Sequence, residues 1–240
     1  MTIPPKLAKI GRSRYASAEE NAVADKATNG IFTGVAPVGE RLEGRSRTAV
    51  LPREDVYFSA DIETDGPIPG PYSLLSFAIV YAGRFAEGKF QRPANLDTVF
   101  YKELRPISDR YEPEALQVNQ LDRDRLIREG ADPADAMTEA ARWIRSLAGD
   151  GQPVLVAFPL SFDWTWLYWY LTNFSREGSP FGHSSCFDIK TAFAVKGRVA
   201  ISEAGRSKLP FELQSGLPHT HNAIDDAREQ AEVFAKVMEW

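Results

Sequence analysis

Residues 57–66 read Tyr-Phe-Ser-Ala-Asp-Ile-Glu-Thr-Asp-Gly, an otherwise apolar strand that carries two carboxylates, Asp61 and Glu63. Residues i and i+2 of a strand share a face, so both acids project together and Ile62 projects away from them. Like charges side by side repel and are costly to bury. A cation between them removes the penalty, and oxygen ligands on a rigid strand suit Mg²⁺ or Mn²⁺. A strand that simply runs out into the acidic turn at Asp65-Gly66 would account for the same residues without chemistry.

Two further segments carry acids where packing alone does not call for them. The run 153–158, Pro-Val-Leu-Val-Ala-Phe, reads as a buried strand and leads through Pro159 into an aromatic helix. With Ser161 as its cap, that helix turns Asp163, Leu167, Tyr170, Leu171 and Phe174 inward. Asp163 then sits on a core-facing side, where an uncompensated acid is a liability. Near the end of the chain, Thr220-His221-Asn222-Ala223-Ile224-Asp225-Asp226-Ala227 opens a helix with Ala223, Ala227, Ala231, Phe234, Val237 and Met238 as its apolar stripe. Thr220 is the expected N-cap. His221 and Asp226 are five residues apart, about 140° around an ideal helix, so they do not share a helical face. If both serve one site, His221 belongs on the preceding loop and Asp226 on the helix. An acidic first turn that complements the helix dipole is the alternative reading of Asp225 and Asp226.

Elsewhere the pattern gives strands over 56–63, 73–81 and 96–104, joined by the turn 65–71 and a loop over 83–95. Three successive strands with short links form an antiparallel meander. Asp132-Pro133 opens a helix through Leu147, with Ala136, Ala140, Trp143, Ile144 and Leu147 as its apolar stripe. A Gly/Ser/Pro loop covers 175–183. The stretch 195–212 reads as a surface region whose Lys196, Arg198, Arg206 and Lys208 form either a basic rim or a solvated loop. Residues 1–50 are rich in Ala, Gly, Ser and charge, so a poorly ordered extension is expected, with a short helix over 16–27.

The order Asp-x-Glu, then Asp, then His with Asp five residues on resembles the DEDDh family of 3′–5′ exonucleases. The matching stretches are 58–66 around Asp61 and Glu63, 155–163 ending in Asp163, and 221–227 with His221 and Asp226. Residues 113–119, Pro-Glu-Ala-Leu-Gln-Val-Asn, also resemble that family's connector between its third strand and first helix. The resemblance implies an α/β, ribonuclease-H-like fold over 51–240: a mixed five-stranded sheet, an antiparallel meander plus parallel strands, flanked by helices. It further implies that Asp61, Glu63, Asp163 and Asp226 hold two Mg²⁺ (or Mn²⁺) ions about 3.5–4 Å apart, with His221 as general base. The expected reaction is hydrolysis at the 3′ end of single-stranded or 3′-overhanging RNA or DNA, releasing nucleoside 5′-monophosphates. Asp225 is excluded by the family's spacing, and Asp188 matches an Asp that is structural in relatives. Some relatives are homodimers. Where many relatives carry Asn or His before the third acid, this chain has Phe158-Pro159.

Composition adds bounds. The net charge is −5, with +3 on residues 1–50 and −8 on the rest. That balance argues against strong non-specific duplex binding and favours short or single strands held by metals and stacking; the loop after Glu63, Phe77, Phe158 and Trp164 are candidate stacking positions, each aromatic equally suited to the core, with core favoured for Phe77. The single cysteine, Cys186, excludes an internal disulfide and is compatible with a reducing compartment. No run approaches the roughly 20 apolar residues of a membrane span, and Met1-Thr-Ile-Pro-Pro-Lys lacks an apolar signal core, so a cytoplasmic protein is expected. Two other functions fit the same letters. One is a phosphoester hydrolase that binds Zn²⁺ or Mn²⁺ through His219, His221, Asp225 and Asp226; the other is a non-catalytic nucleic-acid-binding module on the same fold.

Overall fold

The structure is a computed structural model that describes residues 54–240; the expected extension over 1–50, including its helix at 16–27, lies outside them. Six strands form one mixed sheet. The strands are β1 (Asp55–Thr64), β2 (Leu74–Ala86), β3 (Lys89–Gln91), β4 (Val99–Glu103), β5 (Gln152–Ala157) and β6 (Cys186–Asp188). β1 pairs antiparallel with β2 and parallel with β5, β5 pairs parallel with β6, and β3 and β4 both pair antiparallel with β2. This is the ribonuclease-H-like mixed sheet with its meander, with one strand more than the expected five.

The extra strand lies in the segment expected as a loop. β2 continues to Ala86, turns through Glu87-Gly88 and folds back as β3, whose last residue, Gln91, comes against β2 at Gly83. There φ is +119°, and a Cβ would stand 2.5 Å from the Gln91 carbonyl oxygen, so a side chain could be accommodated in neither backbone nor space.

Helices cover both faces. They are α1 (Pro113–Asn119), α2 (Arg123–Glu129), α3 (Pro133–Ala148), α4 (Leu160–Phe174), α5 (Ile189–Gly197) and α6 (Ala223–Glu239). α3 begins as expected, with the Asp132 carboxylate accepting the Ala134 N–H at 2.9 Å. β1 shows how one strand serves two cores. Val56, Phe58, Ala60 and Ile62 pack with α3 and α4, while Tyr57 packs with α5 and α6 on the other face. Ser59, Asp61 and Glu63 share the Tyr57 face by alternation.

Two caps differ from expectation. α4 starts at Leu160, ahead of Ser161, and its first N–H is taken by the Asp188 carboxylate at 3.1 Å. Asp188 also accepts from Lys190 N–H at 3.3 Å and the Thr191 hydroxyl at 2.6 Å, so one side chain pins the start of α5 to the start of α4. α6 is capped by Asn222, not Thr220: its side chain accepts the Ile224 N–H at 3.0 Å. No helix among the described residues is long and apolar enough to cross a membrane.

Candidate active site

The parallel pairing of β1 and β5 brings three distant stretches together. Ser59 is in register with Val156, so Asp61 lies level with the corner where β5 ends and α4 begins. From that corner α4 delivers Asp163 within its first turn, and α6 lies across β1 carrying Asp226. One carboxylate oxygen from each of Asp61, Glu63 and Asp226 lies within 4.8 Å of the other two. Asp163 is buried and close enough to Asp61 and Glu63 for their charges to repel.

The electrostatic state of this cluster is unusual. Burial raises the Asp61 carboxyl well above its ordinary range, and repulsion from Asp163, Glu63 and Asp226 adds to it. Glu63 is pushed up to about 8 by burial, then by Asp226 and Asp163. Asp163 is also raised to about 8 by burial, against the lowering influence of its own backbone N–H, Arg206 and the Ile62 N–H. Among the described residues no lysine or arginine forms an ion pair with Asp61, Glu63 or Asp163. Converging oxygens without a paired cation, on two rigid helices and a strand, form a donor set that fits hard divalent cations.

Asp226 also organises the loop before it. Its Oδ1 accepts the Thr220 N–H at 2.7 Å and its Oδ2 the His221 N–H at 3.1 Å. The loop therefore curls over the carboxylate, with His221 in the left-handed region at φ 57°. His221 stands on the loop, as the five-residue spacing requires, and its ring is exposed. His219 lines the cleft instead, and the two rings meet edge-on at 4.9 Å. His219 Nδ1 lies 2.9 Å from Asp226 Oδ2 and 2.9 Å from Arg206 Nη1. One ring nitrogen can donate to the first or accept from the second, but not both. Burial and then Arg206 hold the His219 pKa below its usual value, which favours the neutral ring. Asp225 takes only the Thr220 hydroxyl, at 3.0 Å.

Three neighbours of the acids, Arg206, Gln230 and Phe162, are not among the site residues expected from the sequence. Arg206, from the stretch left open between basic rim and solvated loop, is drawn inward. It donates to the buried Glu229, donates to the Phe158 carbonyl at 3.1 Å, and lies over the Phe158 ring at 5.5 Å. Gln230, buried on α6, donates to Asp61 Oδ1 at 2.7 Å. Phe77, favoured as core, and Phe158, open between stacking and core, are both buried in the cores. The exposed aromatic at the cleft is Phe162, beside Asp163 in the sequence. The cleft has a volume of about 330 Å³ and is walled by Asp61, Asp163, Phe162, Lys190, Arg206 and His219. Gln230 follows Asp226 by four residues on the same helical face, which is the signal that could have found it.

No protein-family model matches the chain. A curated relative, the 3′–5′ DNA exonuclease Cap18 of Escherichia coli, is 32% identical over 182 residues, which span 75% of this chain and 90% of the relative. The chain belongs to the DEDDh-type 3′–5′ exonucleases. Solved structures agree on the fold. The nuclease domain of 3′hExo, described as a DEDDh family member bound to rAMP, superposes with a TM-score of 0.53 at 12% identity, covering 78% of this chain and 92% of that one. A 3′-exonuclease solved for its recognition of the histone mRNA stem-loop gives 0.54 at 10% identity, over 78% of this chain and 63% of that one. In this DEDDh-type exonuclease Asp61, Glu63, Asp163 and Asp226 come together where β1, α4 and α6 converge.

Proposed function

We propose that residues 51–240 form the exonuclease domain. In this reading Asp61, Glu63, Asp163 and Asp226 bind two divalent cations, Mg²⁺ or Mn²⁺, and the reaction removes nucleotides from the 3′ end of single-stranded or 3′-overhanging nucleic acid as 5′-monophosphates. The observation that carries it is the convergence of four acids, none of them paired with a lysine or arginine among the described residues, two of them raised to about 8. A fold tolerates such repulsion where a bound cation relieves it. When bound, the ions would supply charge stabilisation for the attacking and leaving oxygens of the phosphodiester.

The chain's own groups do the rest. The exposed, loop-borne His221 can reach a water at the cleft and accept its proton. Phe162 offers a half-open face on which a terminal base can stack, and Lys190 and Arg206 place positive charge on the cleft wall. DNA is the preferred polymer in this reading, because the relative at 32% identity is named as a DNA exonuclease. The lone cysteine, half-buried Cys186, fits a cytoplasmic setting.

The test is a time course on 5′-labelled single-stranded DNA and RNA 20-mers with Mg²⁺ or Mn²⁺, beside Asp226→Ala. A metal-dependent ladder that shrinks from the 3′ end, is faster on DNA and is absent in the variant is the expected result. Intact oligomers with both metals would overturn the reading. His221→Ala should slow turnover about 10²–10⁴-fold while Mn²⁺ binding by calorimetry persists.

A further inference from the structure

Gln230 is almost wholly buried, at 1% exposure, on a helix side that, apart from the acids Asp226 and Glu229, is lined by alanine, valine and phenylalanine. A buried amide must find partners for both of its ends, and this one does. Its Nε2 donates to Asp61 Oδ1 at 2.7 Å, and its Oε1 accepts the Phe158 N–H at 2.6 Å. The amide cannot be reversed. Phe158 N–H only donates and an ionised Asp61 only accepts, so the NH₂ must face the acid.

The bond joins three elements at the point where the site is assembled. Asp61 comes from β1, Phe158 ends the β5 corner that launches α4 with Asp163, and Gln230 stands one helical turn after Asp226. Arg206 secures the same corner from its other polar end, through the Phe158 carbonyl, and is itself held by Glu229, the residue before Gln230. α6 thus presents one acid, and next to it the pair that fixes the positions of the other elements.

We infer that Gln230 is a positioning residue of this exonuclease: it holds the Asp61 carboxylate in one rotamer and ties it to the corner that carries Asp163. The inference rests on the reading above in which Asp61 is a metal ligand. With one oxygen anchored by Gln230, the direction of the other is set before any cation arrives. Anchoring groups behind a metal ligand typically carry 10–100-fold in metal affinity or activity.

The experiment measures Mn²⁺ affinity by titration calorimetry for wild type, Gln230→Met, which keeps the volume and loses both hydrogen bonds, and Gln230→Asn, which keeps the amide but shortens its reach. Thermal melts of the metal-free proteins run alongside. The expected result is a folded Met variant whose Mn²⁺ affinity falls about 10–100-fold, with the Asn variant between it and wild type. Raising Mn²⁺ should restore most of kcat, with KM for the oligonucleotide unchanged; a purely structural role would lower the melting temperature and leave metal affinity alone. Wild-type affinity in the folded Met variant overturns the inference, as does wild-type affinity in the Asn variant should the Met protein fail to fold. If wild type itself takes up no Mn²⁺, the two-cation reading falls and this one with it, and the wild-type titration shows that directly.

Discussion

Asp61 and Asp65 lie four residues apart on and just beyond the same strand, and the fold treats them in opposite ways. Asp65 is wholly buried, yet it is fully partnered. Arg123 donates from Nε at 3.0 Å with only 10% of its side chain exposed, and the Ser73 N–H closes on the other oxygen at 2.5 Å. Arg123 in turn donates to the Ser108 carbonyl and lies over the Tyr111 ring. Asp61 has no lysine or arginine paired with it among the described residues, only Gln230 and three like-charged neighbours. A buried acid with its own arginine holds the β1–β2 turn to α2. A buried acid facing other acids is one whose partner comes from solution. Compensation, more than burial, separates the structural carboxylate from the functional one.

The comparison breaks hardest at the site. Asp61→Asn and Asp226→Asn should each drive turnover to background, a loss larger than the roughly 10–100-fold of a supporting residue. The metal-free Asp61→Asn protein should melt at or above the wild-type temperature, because a repelling charge is gone. Activity near wild type in either variant would end the ligand assignment.

At Asp65 the sign reverses. Arg123→Met leaves a buried carboxylate unpaired, which costs about 3–5 kcal/mol, or roughly 10 °C in melting temperature for a domain of this size. Turnover measured well below the melting point should survive. If Arg123→Met melts like wild type, the distinction between compensated and uncompensated acids does not hold in this protein.

A separate effect is expected from pH. Glu63 is raised from 4.5 to about 8 and Asp163 from 3.8 to about 8, both chiefly by burial. Groups with raised folded-state values bind protons more tightly when folded. Their contribution to stability is complete below about pH 4 and is lost as pH rises through 8. The metal-free protein should therefore lose melting temperature across that window, and Mg²⁺ should stabilise it more at pH 8 than at pH 5.5. Scanning calorimetry in chelator and in Mg²⁺ at both values checks this. Equal Mg²⁺ shifts at the two pH values would show that the carboxylates do not release protons to the ion.

Much of this was legible in the sequence because periodicity carries it. The alternation in 56–63 put Asp61 and Glu63 on one face, and helical spacing found the buried stripes of α3 and α6. Asp163 follows from an acid set against those patterns, whereas the choice of Asp226 over Asp225 rests on the resemblance, and the loop placement of His221 on its sharing a site with Asp226. What stayed hidden lacks a period. A single glutamine among alanines reads as a minor irregularity until a carboxylate is found 2.7 Å from it. Arg206 arrives on short turns of 3₁₀ helix that have no face to read. Ser161 and Thr220 looked like caps because they precede helical runs, but Asp188 and Asn222 reach the free N–H groups first, one of them from another strand. Phe158 stays open between stacking and core in the sequence for a related reason: Phe158 and Phe162 flank the same corner, and only the sheet decides which of them is covered.

The smallest expected effect belongs to Asp225, and it sharpens the comparison by one residue. Asp225 and Asp226 are adjacent acids in the first turn of α6, 100° apart around the helix. Asp226 turns inward and holds two backbone N–H groups; Asp225 turns outward and holds one hydroxyl. Asp225→Asn removes a charge that complements the helix dipole, a loss of roughly 0.3–1 kcal/mol. Melting temperature should fall by a few degrees at most, with turnover and Mn²⁺ affinity within about twofold of wild type. A collapse of activity in Asp225→Asn, with Asp226→Asn still active, would move the ligand onto the outward-facing acid, and the loop held by Asp226 would then be a structural cap.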